Sequence, residues 1–381
     1  MPGYGKPDLL YSLRVYAANS SSHWQKTELR MLSSLSQVKE PFCEVNTHID
    51  PYLIEYFGSN TPPASHYLLH SAPGWDSNFR PVPVLLVHGA GLDATSFTNL
   101  WNMGHVGLQQ QLVELGYRVF AITFSHPHGD NYIQAQQLAD AVQQVCSRCG
   151  VQKVDLVVHS KGGIAARIYL SSLISPAFRG DVRRLIMLGV PNLGNDFAFR
   201  FPSISYMIYL AGGNGVIAWD RLYCWGSPID VTLRSIYTGG AFPGQSQILY
   251  RWDEQIPLDI TQQDWWTTYY GGKGFMSHSR GIDAALADGG YLIEHLERRG
   301  LEPDIELSVL GGTSCLFGMI PLPGGAESDG VVFLDSVFNT EAMVKRGARL
   351  KEKQALPLNH IELLYHPQAA RWVHQQLSDG Y

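Results

Sequence analysis

The chain has 381 residues, 45% of them hydrophobic and 16% charged, and a formal net charge of −6. That balance excludes a disordered chain, and without a block of basic residues it excludes a nucleic-acid-binding surface. No apolar run reaches the roughly 18 residues that cross a bilayer, and five cysteines, of which only Cys146 and Cys149 stand at C-x-x-C spacing, do not make a zinc site.

The opening residues Met1 to Asp8 contain no apolar stretch of signal-peptide type. As it stands the sequence reads as cytoplasmic, or as secreted where a leader has been removed. Residues 1–80 are expected to form an extension packed on the core. They carry a strand expected over Leu13 to Ala17, a helix expected over Trp24 to Leu35 and a proline-rich connection from Thr61 to Pro83. Val82 to Val87 is an apolar run of the kind buried on both faces of a parallel sheet, and it leads straight into His88-Gly89-Ala90-Gly91. Strand and helix patterns then alternate. A helix is expected over Gly107 to Leu115, a strand over Arg118 to Phe124, and a polar loop from Ser125 to Asp130. A helix over Ile133 to Cys146, a strand over Val154 to Val158, a helix over Gly162 to Leu173 and a strand over Val182 to Leu188 follow. Repeated strand–helix–strand units with short loops imply an α/β protein, a mostly parallel central sheet with helices on both faces.

Residues 197–275 break the rhythm and hold five of the nine tryptophans. Such a concentration suits a cap inserted over the active-site end of the sheet. Residues 197–281 would form this aromatic-rich lid, with Ala211 to Gly215 as its hinge. In that reading Trp219, Trp225, Trp265 and Trp266 line an acyl-binding cleft; in the plainer one, aromatics fill the cap's own core. A helix over Ile282 to Arg299, a strand over Ile305 to Leu310, the acidic turn Glu327 to Gly330, His360 and a helix over Gln368 to Leu377 complete the chain. The core would then be residues 81–196 and 282–381.

Chemistry concentrates in Val154 to Arg167. A β-branched strand ends at His159-Ser160-Lys161-Gly162-Gly163 and a helix-forming run follows, which presents one serine hydroxyl on a sharp bend above unpaired helix N–H groups. Val158 stands where the G-x-S-x-G pattern has its first glycine. The plainer reading is a serine that caps a helix. Ester hydrolysis by serine needs a base, an acid that orients it, and donors for the oxyanion. In an open α/β sheet these come from loops at the carboxyl ends of strands. His88 to Gly91, His159 to Gly162, Asp329 and His360 all fall where such loops should be, in the order Ser, Asp, His. Asp304 and Asp335 compete with Asp329, and His366 and His374 with His360. His88 and His159 flank the serine as hydrogen-bonding groups. His126, His128 and Asp130 make a loop that is either simply polar or metal-ligating.

The stretch from Val84 to Gly194 resembles the core of the bacterial triacylglycerol lipases and esterases of the α/β-hydrolase superfamily. Leu86-Val87-His88-Gly89 is similar to their oxyanion-loop strand, Val158 to Gly163 to their nucleophile elbow, and Gly189 to Gly194 to their proline-containing turn. Ser328-Asp329-Gly330-Val331-Val332 resembles the acidic turn and Leu358-Asn359-His360 the histidine loop; residues 1–80 and most of 197–300 fall outside the likeness. It implies the α/β-hydrolase fold and a serine carboxylester hydrolase. Ser160 would be the nucleophile, His360 the base and Asp329 the orienting carboxylate, with the backbone N–H groups of Ala90 and Lys161 as oxyanion donors. The Lys161 side chain is given no role; its charge either favours an anionic intermediate or projects into solvent. The implied partner is a lipid or other hydrophobic acyl ester, with no organic cofactor and no metal. Calcium, which some of these lipases hold beside the histidine loop, is compatible with Glu362 but not predicted. A polyester depolymerase or an acyltransferase would use the same three residues, whereas a non-catalytic binding protein of this fold would not need them.

Overall fold

The computed structural model describes residues 23–199, 220–258, 261, 263–315 and 326–378. Its strands are β1 (Lys26–Met31), β2 (His66–Ser71), β3 (Val84–Val87), β4 (Val119–Phe124), β5 (Val154–His159), β6 (Val182–Leu188), β7 (Arg221–Cys224), β8 (Ser227–Asp230), β9 (Gly272–Lys273), β10 (Ser277–Ser279), β11 (Glu306–Gly312) and β12 (Arg349–Leu356). The helices are α1 (Pro51–Phe57), α2 (Leu108–Glu114), α3 (Asn131–Cys149), α4 (Gly162–Leu170), α5 (Pro243–Ser246), α6 (Gln263–Tyr269), α7 (Ile282–Asp288), α8 (Leu292–Arg299), α9 (Leu334–Phe338), α10 (Glu341–Val344) and α11 (Pro367–Ser378).

Eight strands form one sheet in the order β1-β2-β4-β3-β5-β6-β11-β12. Strand β2 runs antiparallel to both neighbours, and the pairs from β4 to β12 are parallel. The chain leaves β3 for β4 on one side and crosses back to β5 on the other. Loops after β3 and β5 therefore stand side by side at the carboxyl edge, the crevice where open α/β sheets bind ligands. Val87 pairs with Val158, so His88 and His159 follow from adjacent positions.

Period-two alternation explains why these strands are apolar throughout. Leu85, Val87, Leu156 and Val158 point into one core, with Leu138 and Val142 of α3 and Ile164 and Ile168 of α4. Val84, Leu86 and Val157 point into the other, with Leu112 of α2 and Trp372, Val373 and Leu377 of α11. Each buried leucine or valine contributes about 1.5–3 kcal/mol, which covers both faces of the sheet with helices, as expected.

Three readings need correction. The helix expected over Trp24 to Leu35 is strand β1 followed by a single turn at Ser33–Leu35. Its Leu, Glu, Arg and Met residues favour helix, but pairing with β2 overrides that weak preference. The proline-rich connection contains β2, buried nearly throughout, so the N-terminal segment belongs to the sheet rather than resting on it. The expected helix over Ile282 to Arg299 is two helices, α7 and α8, parted at Gly289-Gly290, because glycine is poor in a helix interior.

Residues 220–281 include a separate sheet in the order β8-β7-β10-β9. Helix α5, between these strands, docks on the loop after β4. Gly244 N–H donates to the His128 carbonyl at 3.1 Å, and Asn131 donates from its backbone to Oε1 of Gln247 at 2.7 Å. The inserted region thus touches the carboxyl edge of the main sheet. The expected hinge, Ala211 to Gly215, lies outside the described residues.

Candidate active site

Ser160 sits between β5 and α4 with a backbone φ of 51°, a left-handed conformation that costs a non-glycine residue about 1–3 kcal/mol and persists only where the surroundings dictate it. Two backbone bonds hold it: its N–H donates to the Leu188 carbonyl at 3.0 Å, and its carbonyl accepts from Gly163 N–H at 2.9 Å. Val158 does not open this turn. It is fully buried in the sheet core, paired with Val87 and Met187. The loop after β3 closes on the serine, since a Cβ added at Gly89 would come within 2.8 Å of the Ser160 Cβ. Among the described residues, neither Ala90 N–H nor Lys161 N–H has a hydrogen-bond partner, which leaves two free donors on the two adjoining loops.

Asp329 and His360 come together from the loops after β11 and β12. His360 Nδ1 lies 2.6 Å from Asp329 Oδ2, and His360 N–H donates to the Asp329 carbonyl at 2.9 Å. The other carboxylate oxygen, Oδ1, accepts from the N–H groups of Val331 and Val332 at 2.9 and 2.8 Å. The acidic turn therefore spends one oxygen on its own backbone and aims the other at the imidazole. Both residues are buried. The pair abuts the elbow: His159 Nε2–H donates to the His360 carbonyl at 3.0 Å, with the two rings 4.6 Å apart. Gly189, at the end of β6, passes beneath. A Cβ there would meet Asp329 Oδ2 and His360 Nδ1, each at 3.0 Å.

The competing residues lie elsewhere. Asp304 precedes β11, at the opposite edge of the sheet, and Asp335 opens α9. His374 on α11 pairs with the Tyr117 hydroxyl at 3.0 Å, and His366 accepts from Gln368 N–H. Glu362 accepts from Asn359 N–H at 2.8 Å, while Asn359 Oδ1 accepts from the N–H groups of Ile361 and Glu362. This reciprocal cap braces the histidine loop.

His126 and His128 each bond to neighbouring segments of the fold. Nε2–H of His126 donates to the Pro41 carbonyl at 2.9 Å and its Nδ1 accepts from His128 N–H at 3.0 Å. Nδ1 of His128 accepts from the Gln245 amide at 2.8 Å. Asp130 caps α3 through the N–H groups of Tyr132 and Ile133. Among the described residues no group of three or more His, Cys, Asp or Glu side chains is arranged to hold a metal ion.

The side chain of Lys161 does not take the second of its two expected courses, projection into solvent. It is 1% exposed, and its Nζ donates to the Gly129 carbonyl at 2.7 Å and to Oε1 of Gln134. Burial pushes its pKa down to about 7, against the pull of the Glu40 and Asp130 carboxyls. Glu40, buried beside them, is pushed up to about 7 for the same reason. A buried lysine was not legible because its partners are remote in sequence.

Of the four tryptophans expected to line a cleft, Trp225 and Trp266 have described side chains. Trp225 is wholly exposed at the tip of the β7–β8 hairpin, where it lines nothing. Trp266 is half-buried against the main core. Trp265 lies on α6, its side chain outside the described part, and Trp219 lies outside the described residues. Trp225 and Gly226, with φ of 53° and 79°, form a two-residue turn that favours asparagine at its first position. Trp225→Asn is expected to stabilise by about 0.5–1 kcal/mol, read as a higher thermal midpoint; a lower midpoint would show that the ring has a partner.

Residues 84–293 match the model of the alpha/beta hydrolase family. A curated protein of Pseudarthrobacter phenanthrenivorans named triacylglycerol lipase is 34% identical over 119 residues, 30% of this chain and 35% of its own. Another of that name, from Burkholderia plantarii, is 34% identical over 119 residues, 30% of this chain and 31% of its own. The chain thus spans only about a third of the length of the curated relatives it matches. Among solved structures, a Bacillus licheniformis lipase in mature form superposes over 79% of this chain and 95% of that one, at 17% identity and a TM-score of 0.45, an overlap too loose to bear on activity.

Proposed function

Because the chain belongs to the alpha/beta hydrolase family, we propose that it is a carboxylic ester hydrolase of lipase type that works through an acyl-enzyme. The observation that carries this reading is the buried His360–Asp329 pair, 2.6 Å apart, beside an elbow on which Ser160 takes a left-handed turn. Ser160 Oγ attacks the ester carbonyl and passes its proton to Nε2 of His360, while Asp329 holds the Nδ1–H and so the tautomer. The N–H groups of Ala90 and Lys161 hold the oxyanion of the tetrahedral intermediate. His360 then gives the proton to the departing alkoxide oxygen as the C–O bond breaks. Water, deprotonated by His360, attacks the acyl carbonyl and releases the carboxylic acid and free Ser160. The similarity to proteins named triacylglycerol lipase supports a lipid or other hydrophobic acyl ester as substrate.

A series of p-nitrophenyl esters from acetate to palmitate, with polyester film alongside, tests the reading. Saturable release of nitrophenol from long-chain esters is expected. Preference for acetate would reduce the assignment to an esterase, and soluble product from the film alone would move it to a depolymerase. No cleavage of any ester would remove it.

Gly189→Ala tests the pair from below. The new Cβ must push Asp329 or His360 aside at a backbone φ of 57°. The neighbours must give by a few tenths of an ångström; since a displacement of about 1 Å costs up to about 100-fold in rate, a loss of roughly severalfold is expected, while the left-handed backbone costs about 1–2 kcal/mol. The expected result is therefore a rate loss larger than the loss of stability explains, measured by kcat and urea midpoint together. Unchanged kcat would separate the pair from the chemistry.

A further inference from the structure

One buried charge at the site takes no part in that chemistry. The Nζ of Lys161 is where four segments of the chain meet. Gly129, in the loop after β4, supplies a carbonyl at 2.7 Å, and Gln134 of α3 supplies its side-chain oxygen. Glu40, from the segment ahead of β2, accepts from Asp130 N–H at 2.7 Å, and its second oxygen is buried without a partner. Gly244 of α5 covers the ammonium so closely that a Cβ there would overlap Lys161 Cε and lie 2.7 Å from Nζ.

Stability does not explain a charge in this position. An ammonium is costly to bury, and an apolar side chain of similar volume is often the more stable choice. It also stands at the N-terminal end of α4, where the helix dipole opposes a cation. What the ammonium does achieve is a closed polar circuit. Its bond to the Gly129 carbonyl fixes the loop after β4, and in the same loop the Pro127 carbonyl accepts from Gly91 N–H at 3.1 Å. Gly91 adjoins Ala90. The circuit therefore runs from the backbone of Lys161, through its own side chain and the Pro127–Gly129 loop, to the backbone of Ala90.

We propose that the Lys161 side chain is a positioning residue for oxyanion stabilisation: by clamping the Pro127–Gly129 loop it sets the separation between the Ala90 N–H and its own N–H. The role rests on the ester-hydrolase reading above. It also explains why the N-terminal segment and the cap both reach this point. Gly244 covers the ammonium from the cap side, and Glu40, which accepts from Asp130 N–H, lies against the same loop at Gly129.

The test is Lys161→Met, which keeps the length and removes the ammonium. Oxyanion donors act on the transition state rather than on substrate binding, so kcat for p-nitrophenyl butyrate is expected to fall by about tenfold or more with KM within about twofold. The urea midpoint should stay level or rise. A folded Lys161→Met protein whose kcat falls by less than tenfold overturns the proposal, as does a fall carried by KM. If that variant does not fold, Lys161→Gln decides by the same criteria, because its neutral amide ends one bond short of the Nζ position and leaves the Pro127–Gly129 backbone and Gly244 untouched. Fluorophosphonate labelling of the unaltered chain separates the two levels. Failure to label there defeats the ester-hydrolase reading and the positioning role with it, whereas normal labelling with an unaffected Lys161→Met defeats the positioning role alone.

Discussion

Ser160→Ala is expected to lose ester hydrolysis by about 10⁴- to 10⁶-fold while folding as the unaltered chain does. The backbone argument makes this a clean experiment. Both bonds that hold the residue are main-chain bonds, to Leu188 and Gly163, and alanine keeps them. Alanine takes the left-handed φ of 51° at about the same cost as serine. Only Oγ is removed. Asp329→Asn should approach the same loss, about 10⁴-fold, for a different reason. One carboxylate oxygen faces two backbone donors and the other faces His360. An amide must turn its NH₂ toward one of them, and if it faces His360 it forces the imidazole into the wrong tautomer. Fluorophosphonate labelling and steady-state rates read both variants. Labelling that persists in Ser160→Ala would sink the assignment, whatever the rates.

The second large effect is acid lability. Six buried histidines are held neutral. Burial pushes His48 down to about 4, His70, His88 and His126 to about 3, and His128 and His159 well below the ordinary value. Geometry gives the same answer for two of them. His88 donates from Nδ1 to the Gly89 carbonyl and accepts at Nε2 from Phe124 N–H, and His126 both donates to Pro41 and accepts from His128 N–H. Only a neutral ring can do both, since a protonated one would set N–H against N–H. Below pH 6.5 the unfolded chain binds protons that the folded one refuses, so the stability these rings contribute is lost as pH falls from there towards 4 and then 3. Glu40, raised to about 7, and Asp196, raised to about 6, work the other way, because each is protonated in the fold while still ionised in the unfolded chain. Asp93 and Asp155, also raised by burial, add to that opposing sense. Lys161 titrates above this window. Six rings against four raised carboxyls leave the balance on the side of acid lability. Urea midpoints measured from pH 7.5 to 5 should fall steeply. A level midpoint between pH 7 and 5 would contradict the neutral rings.

What could be read in advance follows physical lines. Strands β3 to β6 were legible because a parallel sheet covered on both faces demands unbroken apolar runs such as Val84 to Val87, and the elbow because a serine between strand and helix breaks two periodicities at once. The acidic turn and the histidine loop followed from the need to reach the same edge. Strand β12, with Lys351, Glu352 and Lys353 in its middle, shows no such run, because an edge strand satisfies only half its backbone in the sheet and tolerates charge. Strand β1 hid behind helix-favouring residues. The Lys161 ammonium, the Glu40 carboxyl and the His159 bond to the His360 carbonyl had no local signal, since each is a contact between segments far apart in the chain.

The placement of β1 and β2 at one end of the main sheet has a consequence for solubility. Beneath them lies β4, whose Val119-Phe120-Ala121-Ile122-Thr123-Phe124 is buried along its whole length. As an outermost strand this run, uncharged and rich in β-branched and aromatic residues, would be a template for intermolecular pairing. The chain covers it with two strands of its own and ends the sheet on Lys26-Thr27-Glu28-Leu29-Arg30-Met31, whose alternating charges repel a further strand. At the far end β12 does the same with Lys351, Glu352 and Lys353. The N-terminal segment therefore serves as a permanent internal guard against aggregation, and shortening the protein to begin at β3 would remove that guard while leaving Ser160, Asp329 and His360 in the chain.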